Sequence, residues 1–342
     1  MFGSIRIFFI DLRAQSAMIR CAVGVTLALI ISTTLGYMIP HMTAIFALMF
    51  LSPGKKPMNL KTEIGIVAGL FVLGYFGSIF GKHLIDYPFV ILPLLGLSIY
   101  WSYRLTKIPE PIRLLFLILI VLLPFVSLQA NLLGSLVLKS MLWNLIIALV
   151  VTRVAFWVFP AVDLSDTADG EAKTTVPDII DPDRAALNSL LAVFPLIALF
   201  YFFGVSSAVL ALVFVIILSF DPFVYQSKKG LALLVANVLG GMAGVLVYNL
   251  LVIAPSYTIY IFLIATVAFY FAFNLYSGKK IAPIFKTSFN TFFAVMGVIS
   301  TSTDGASSTV AERIMLIGLA ILYVIVVFRI INTFNNPRMI NA

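Results

Sequence analysis

Residues 21–52 read CAVGVTLALIISTTLGYMIPHMTAIFALMFLS, an apolar stretch between Arg20 and a Pro-Gly-Lys-Lys turn at 53–56. Basic residues at both ends place the two ends on the same side of a membrane, so the stretch has to cross and return. Two full spans of about 20 residues each do not fit into this length. The return leg, 41–52, is about 18 Å long as a helix, which is shorter than the roughly 30 Å hydrocarbon core. The sequence therefore predicts a short return helix within the membrane.

The composition of the whole chain is that of a membrane protein. Of its 342 residues, 62% are hydrophobic and 11% are charged, and the mean hydropathy is +1.11. These values exclude a water-soluble chain. The formal charge of +8 does not indicate nucleic-acid binding, because the basic residues stand in small clusters between apolar runs. The single cysteine, Cys21, excludes a disulfide framework and a cysteine metal site.

Apolar runs and their Pro, Gly and charged boundaries predict an all-α polytopic membrane protein with about twelve transmembrane helices. The first 20 residues carry three arginines around a short apolar stripe, which predicts an interfacial helix that leads into the first span. The predicted spans are 21–39, 41–52, 62–81, 88–103, 111–128, 132–153, 185–203, 206–220, 230–252, 257–275, 283–300 and 309–331.

Lys and Arg fall on alternate connections between these spans. Of the 22 basic residues, all but three lie on one predicted side; Lys82 and Arg313 lie on the other side, and Lys139 lies within the sixth span. By the positive-inside rule, both termini are cytoplasmic. Half of the 14 acidic residues fall in 161–183. The polar composition of this segment predicts a cytoplasmic linker.

Landmarks of the first half recur in the same order in the second half, which indicates an internal duplication. Six spans per repeat is an even number, so the two repeats are predicted to be parallel, as a pseudo-dimer about an axis along the membrane normal. The predicted domains are 1–160, a six-helix repeat with its N-terminal interfacial segment; 161–184, the acidic linker; and 185–342, the second six-helix repeat. The matching pairs are Arg20/Arg184, Lys61/Lys228, Gly74/Gly241, Gly77/Gly244, Tyr100/Tyr270, Pro111/Pro283 and Arg153/Arg329.

Three features provide candidate substrate-binding residues. Short helices at matching positions of both halves indicate a transport site, or short spans in a thinned bilayer. A lysine inside the sixth span attracts an anion or extends to the headgroups. A polar stripe in the eleventh span, absent from its partner at 114–125, indicates a substrate contact or interhelical hydrogen bonding. The candidates are Lys139, His41, Thr43, Ser206, Ser207, Lys286, Asn290 and Thr291.

Glycines recur along the third and ninth spans, where small residues let helix backbones approach closely or line a pathway. These glycines are Gly69, Gly74, Gly77, Gly240, Gly241 and Gly244. Glu63 and Asp221, at predicted cytoplasmic helix ends, are candidates for proton coupling. Structural roles are the alternative, because Glu63 suits a helix N-terminus and Asp221 precedes a proline in a turn.

Signatures of soluble enzymes are missing from the sequence. It has neither a GxxxxGK[ST] loop for ATP nor an HExxH metal motif. The two histidines, His41 and His83, are both predicted at the outer interface. The sequence therefore predicts no enzyme activity, no catalytic residue, no metal site and no cofactor.

The Arg20-led first span, the Ser52–Pro57 turn and the glycine-rich third span resemble the fusaric-acid-resistance-type (FUSC-like) membrane superfamily of bacteria. That superfamily includes exporters of aromatic carboxylic acids. The resemblance implies a bacterial cytoplasmic (inner) membrane protein and a periplasmic adaptor of the membrane-fusion type as partner. Larger members carry sizeable cytoplasmic domains after each six-span unit, where this chain has only the short linker.

The expected function is secondary transport, with export of small organic, aromatic anions across the cytoplasmic membrane. The parallel repeat, the paired short helices and Lys139 favour it. A passive anion channel and a non-transporting envelope scaffold or lipid-handling protein are the alternatives. The expected partners are the lipid bilayer, the anion and the adaptor, with no nucleic acid.

Overall fold

The computed structural model describes residues 2–105, 110–129, 131–160, 182–203, 227–299 and 322–331, together with residues 212, 215–216, 219, 315 and 318–320. All regular structure in these residues is helical, which confirms the all-α prediction. The α-helices are α1 (Phe2–Thr34), α2 (His41–Leu51), α3 (Leu60–Ile79), α4 (Pro88–Arg104), α5 (Glu110–Gln129), α6 (Asn131–Val158), α7 (Pro182–Phe203), α8 (Ser227–Ile253), α9 (Tyr257–Leu275) and α10 (Ala282–Ile299). A π-helical turn, Phe80–Leu84, continues α3, and residues 322–331 are also helical.

Within this part of the chain, six helical stretches are long and apolar enough to cross a membrane. They include Gln15–Thr34 of α1 and Leu133–Val158 of α6. The shorter apolar helices are His41–Leu51, Ile112–Ser127 and Gly318–Ile331. This architecture is compatible with a multi-pass membrane protein. A total of twelve spans stays a prediction.

Helix α1 differs from the sequence-based expectation at both ends. Its 33 residues form one continuous helix, about 50 Å long, so the predicted interfacial helix is the N-terminal part of α1 itself. The helix ends at Thr34, although the first span was predicted to extend to residue 39. Helix α2 has 11 residues, and eight of them are buried. The predicted short return helix is therefore present, and it begins after a longer turn than expected.

The chain divides into two compact units that each combine segments from both halves of the sequence. Unit 1 contains Met1–Glu63, Ser140–Val176 and Val235–Ala311. Unit 2 contains Ile64–Lys139, Pro177–Leu234 and Glu312–Ala342. Helices α3, α6 and α8 therefore contribute to both units.

Each unit has its own apolar core. In unit 1, α1 packs on α2 and α9, and α10 packs on α2 and α9. In unit 2, α4 packs on α5, α7 and the π-helical turn, around buried residues such as Ile91, Leu95 and Ile197. Because lipid tails are as apolar as leucine, helices in a membrane associate through close packing and hydrogen bonds more than through exclusion of water.

Candidate functional site: a broken helix with a buried polar cluster

The break between α1 and α2 is built around Gly36. This glycine has a φ of 70°, which favours a residue without Cβ. Its N–H donates to Thr33 O at 3.1 Å, and the N–H of Tyr37 donates to Ser32 O at 3.3 Å. This is the Schellman arrangement that ends helices. Helix α2 then begins after Pro40 and packs back on α1.

Asn144 of α6 holds the two sides of this break. Its Oδ1 accepts hydrogen bonds from Ser32 Oγ at 2.8 Å and from Thr43 Oγ1 at 2.6 Å. Its Nδ2 donates to Ile39 O at 2.9 Å and to Ser140 Oγ at 3.3 Å. A carboxamide offers two acceptor sites and two N–H donors, so all four are used. We call these five residues the Asn144 cluster; Asn144 itself is 0% exposed.

Charged residues mark one end of unit 1. Arg153 near the end of α6 pairs with Glu63 at the start of α3, with 2.8 Å between Nη2 and Oε2. Arg20 in α1 donates from Nη1 to Phe159 O at 3.0 Å, and its guanidinium lies 4.3 Å from the ring centroid of Phe156. We call this the charged end of unit 1. Glu63, a candidate for proton coupling, is therefore engaged in an ion pair, and its own side chain is 13% exposed.

Tyr276 joins the end of α2 to the segment after α9. Its hydroxyl donates to the carbonyl oxygen of Leu51. Burial raises the pKa of Tyr276 well above its usual range, so the hydroxyl stays neutral and remains a donor. This bond fixes the end of α2 that is opposite to His41.

The Asn144 cluster lies far from the charged end. Along α6, Asn144 is nine residues from Arg153, which is about 13 Å. Along α1, Ser32 is twelve residues from Arg20, which is about 18 Å. The cluster is thus separated from the charged end by about half the roughly 30 Å thickness of a hydrocarbon core.

His41, the first residue of α2, is buried at 6% exposure next to α10. A Cβ on Gly297 of α10 would lie 3.4 Å from His41 Nδ1. Among the described residues, no hydrogen bond to the imidazole is found. His41 is therefore packed against α10, and its location at the outer interface stays a prediction. Since α1 stops at Thr34, the turn brings the start of α2 into the packed interior.

One face of α10 connects His41 with two predicted residues. Lys286, Asn290 and Gly297 are spaced by four and seven residues, which places them on the same helix face. Gly297 on that face contacts His41. The Oδ1 atom of Asn290 is buried and has no hydrogen-bond partner among the described residues. Lys286 and Asn290 thus share a helix face with Gly297, and they lie about 16 and 10 Å along α10 from this residue that contacts His41.

Thr291 and the glycines of α8 lie where α8 contacts α10. Thr291 Oγ1 donates to Asn237 Oδ1 of α8 at 2.7 Å, so it is engaged between helices. A Cβ on Gly240 would meet the backbone of α10, and one on Gly244 would lie 2.8 Å from Val295. Gly241 is buried. Close approach of two helix backbones requires glycine at Gly240.

The glycines of α3 occupy a comparable place in unit 2. A Cβ on Gly69 would lie 2.7 Å from the ring of Phe116, and one on Gly77 would lie 3.1 Å from the carbonyl oxygen of Leu119, both in α5. A Cβ on Gly74 would meet the side chain of Leu138 in α6. These positions are all helix contacts.

The remaining predicted site residues are Lys139, Ser206, Ser207 and Asp221. Lys139 is exposed on α6, one residue before Ser140. Ser206, Ser207, Asp221 and residues 161–181 of the predicted linker lie outside the described residues, whereas its last three residues, 182–184, belong to α7. No group of three His, Cys, Asp or Glu that could hold a metal occurs in the described part of the chain.

Sequence reasoning missed Ser32 and Asn144. Their signal was available, because Asn144 is a carboxamide within a 28-residue apolar helix. A buried amide in such a helix needs partners from other helices.

The described residues are thus those of a helical, membrane-type protein with a buried polar cluster at the break between α1 and α2. A family described as "Protein of unknown function (DUF2955)", which is a family of membrane proteins, matches residues 17–155. The match extends from α1 to near the end of α6. No curated protein and no solved structure matches this chain.

Proposed function

We propose that this protein is a secondary transporter that exports small organic, aromatic anions across the bacterial cytoplasmic membrane. The observation that carries the proposal is the α1–α2 break with the Asn144 cluster, which lies between two apolar helices about half a hydrocarbon core from the charged end. Broken helices with polar groups near the midplane form the substrate sites of several transporter folds. Polar residues inside a bilayer are costly, so the buried Asn144 cluster favours a functional role.

The chemistry around the break suits an anion. The N-terminus of a helix carries a partial positive charge, and α2 begins at the cluster. Lys286 lies on the face of α10 whose Gly297 contacts the imidazole of His41.

A parallel duplication is supported by the composition of the two units. Unit 1 combines the predicted first, second, tenth and eleventh spans with most of the sixth and of the ninth. Unit 2 combines the fourth, fifth, seventh and eighth with most of the third and of the twelfth. Each span of one unit has its counterpart in the other unit, six spans earlier or later along the chain. This division supports the proposal that the chain contains two six-span repeats, twelve spans in total, with each unit combining parts of both.

Packing within the units follows the same relation. Helix α1 packs on α9 in unit 1, and its counterpart α7 packs on α4, the counterpart of α9, in unit 2. Helix α9 packs on α10 as α4 packs on α5. The end of the short second span is bound by Tyr276 in unit 1, and Ser219 in unit 2 is bound by Tyr103.

The distribution of charge supports the orientation. The arginines at the charged end of unit 1 belong to the basic side, which is cytoplasmic by the positive-inside rule. The FUSC-like resemblance adds the periplasmic adaptor as a proposed partner. The family match over 17–155 is compatible with a first repeat at 1–160.

The test is flux in proteoliposomes that contain the purified full-length protein. Labelled benzoate is loaded, and its efflux is measured with and without a proton gradient and compared with protein-free liposomes. Gradient-dependent efflux is expected. Efflux that ignores the gradient would indicate a passive channel, and no efflux of several aromatic and aliphatic acids would favour the scaffold alternative.

A further inference from the structure

Arg20 of α1 is a buried arginine at the charged end of unit 1, and 7% of the residue is exposed. Among the described residues, its guanidinium donates one hydrogen bond, to Phe159 O at 3.0 Å, and lies over the ring of Phe156. Its Nε is buried without an acceptor in the same part of the chain. A guanidinium has five N–H donors, so one carbonyl oxygen leaves most of them unsatisfied. The two contacts thus orient the group without completing its hydrogen bonds.

The positive charge of Arg20 has no carboxylate counter-ion within the described residues. Glu63, an acid at the same end, pairs with Arg153 instead. Burying a charge without a partner is costly. Ionisable residues in membrane-spanning segments mark binding sites for this reason. An anion from outside the chain would supply both the missing charge and the missing acceptors.

The surroundings of Arg20 are basic. One helical turn further along α1, the helix contacts the end of α2, since a Cβ on Gly24 would lie 2.5 Å from Leu51 Cδ1. Tyr276 joins this end of α2 to the loop after α9. Both loops that follow these helix ends carry exposed lysines: Lys55, Lys56, Lys279 and Lys280. Basic residues near a bilayer surface attract anionic lipids, so the anion is expected where such lipids accumulate.

Arg20 also lies at the level expected for lipid headgroups. Residues 21–34 of α1 carry no charge and belong to a stretch that is long enough to cross a membrane. Arg20 therefore stands where this uncharged stretch ends. Trp157, next to Phe156 in α6, is 83% exposed, as is typical of tryptophan at a membrane interface. A lipid phosphate at this level offers two oxygens that match the planar fork of an arginine.

We propose that Arg20 anchors a binding site for an anionic phospholipid from the leaflet that borders the charged end. The phosphate oxygens of the lipid accept hydrogen bonds from the guanidinium, which Phe156 and Phe159 O hold in place. The lysines of the two loops favour a lipid with net negative charge. The site requires only that the chain spans a bilayer, so it goes beyond the proposed transport activity and does not depend on it.

Native mass spectrometry of the full-length protein in a neutral detergent tests this site. The protein is titrated with phosphatidylglycerol or phosphatidylcholine, which both contain a phosphate but differ in net charge. We expect the wild type to bind the first phosphatidylglycerol at least about fivefold more tightly, and Arg20→Gln to bind the two lipids within about twofold of each other. Arg184→Gln is the matched control, because it removes an exposed arginine of α7, and it should keep the preference.

Equal binding of the two lipids by the wild type would overturn the proposal, because the charge of Arg20 would then be compensated within the chain. An equal loss of preference in Arg184→Gln would also overturn it, since net charge alone would then explain the preference. Excess inorganic phosphate or benzoate distinguishes a lipid from a soluble anion. Phosphatidylglycerol that stays bound supports the lipid, and its displacement by either anion would exclude the lipid as the ligand.

A measurement on the wild type alone covers the case in which Arg20→Gln does not fold. Phosphatidylglycerol with a photoreactive diazirine in its headgroup is crosslinked to the protein in proteoliposomes, and the labelled peptides are sequenced. Label is expected in residues 155–160 at the end of α6 and in residues 51–56 after α2. Absence of label from both segments would contradict a headgroup bound at Arg20.

Discussion

At the scale of single residues, Asn144 combines complete burial with four hydrogen bonds from one carboxamide. Its carboxamide is buried, and its four hydrogen bonds join three helices. Hydrogen bonds between helices in membranes contribute on average about 0.6 kcal/mol each, less than their burial suggests, because the unfolded state in the membrane also finds partners. Because four such hydrogen bonds converge on the Asn144 carboxamide, their contributions to the free energy of unfolding add up.

Replacing Asn144 with Ala should lower the free energy of unfolding by about 2 kcal/mol, since it removes all four bonds and leaves the Ser32 and Thr43 hydroxyls without this acceptor. Unfolding in mixed micelles would measure the change. Ser98→Ala is the control, because Ser98 bonds only to Leu94 O one turn earlier in its own helix. A loss no larger than that of the control would mean that the cluster does not stabilise the break.

The Glu63–Arg153 pair gives a second prediction at this scale. Glu63→Gln should cost about 0.5–1 kcal/mol, because the pair is partly exposed and such pairs are weak. The pH profile of benzoate efflux should stay unchanged, since the Glu63 carboxylate is held in the ion pair with Arg153. A displaced pH profile in this variant would instead make Glu63 a coupling group.

At the residue level, the sequence predicted the short helix α2 because its local pattern is unusual, whereas a substrate-binding role for its residues stays a prediction. The short return leg pointed to His41 and Thr43, and both are buried at the break. Asn144 was missed because a polar residue in an apolar run does not reveal its partners, which come from residues about 100 positions away. For the same reason, the division of α10 into a face toward His41 and a face toward α8 could not be read from the sequence.

At the scale of helices, most boundaries were predictable because apolar runs and prolines mark them. The end of α1 was not, although Gly36 and Pro40 stand in the sequence. A glycine in an apolar run is equally compatible with helix continuation or packing, and only its φ of 70° identifies it as a helix end. The glycines of α3 and α8, by contrast, lie within continuous helices at contacts with neighbouring helices.

Gly240→Ala should destabilise the protein by about 1–3 kcal/mol, because its Cβ would meet the backbone of α10, which cannot move aside as a side chain can. Gly65→Ala is the matched control, since nothing lies within 4 Å of a Cβ there. The control should be neutral or more stable by up to about 1 kcal/mol through its helix propensity. Thermal unfolding of both variants would decide, and equal melting temperatures would contradict the close contact of α8 and α10.

At the scale of the whole molecule, the order of landmarks in the sequence suggests two halves, whereas contacts divide the chain into two units that each draw on both halves. The sequence does not reveal this exchange, because six similar apolar helices do not specify which of them pack together. An internal duplication with short connections is compatible with separate bundles and with exchanged ones. In the exchanged arrangement, either half of the chain on its own lacks the helices on which its own spans pack.

The halves should therefore be unable to form stable monomers. When residues 1–160 are expressed alone, α1 and α2 lack α9 and α10, which cover them in unit 1. Their surfaces can be covered only by a second copy, in which the third to fifth spans replace the ninth to eleventh, or by the other half. We expect the first half to aggregate or dimerise, and residues 1–160 co-expressed with 161–342 to purify as a one-to-one complex that restores efflux. Light scattering in detergent would measure the mass of each species. A stable, folded monomer of residues 1–160 would contradict the exchange, because its helices would then complete a core without help from the second half.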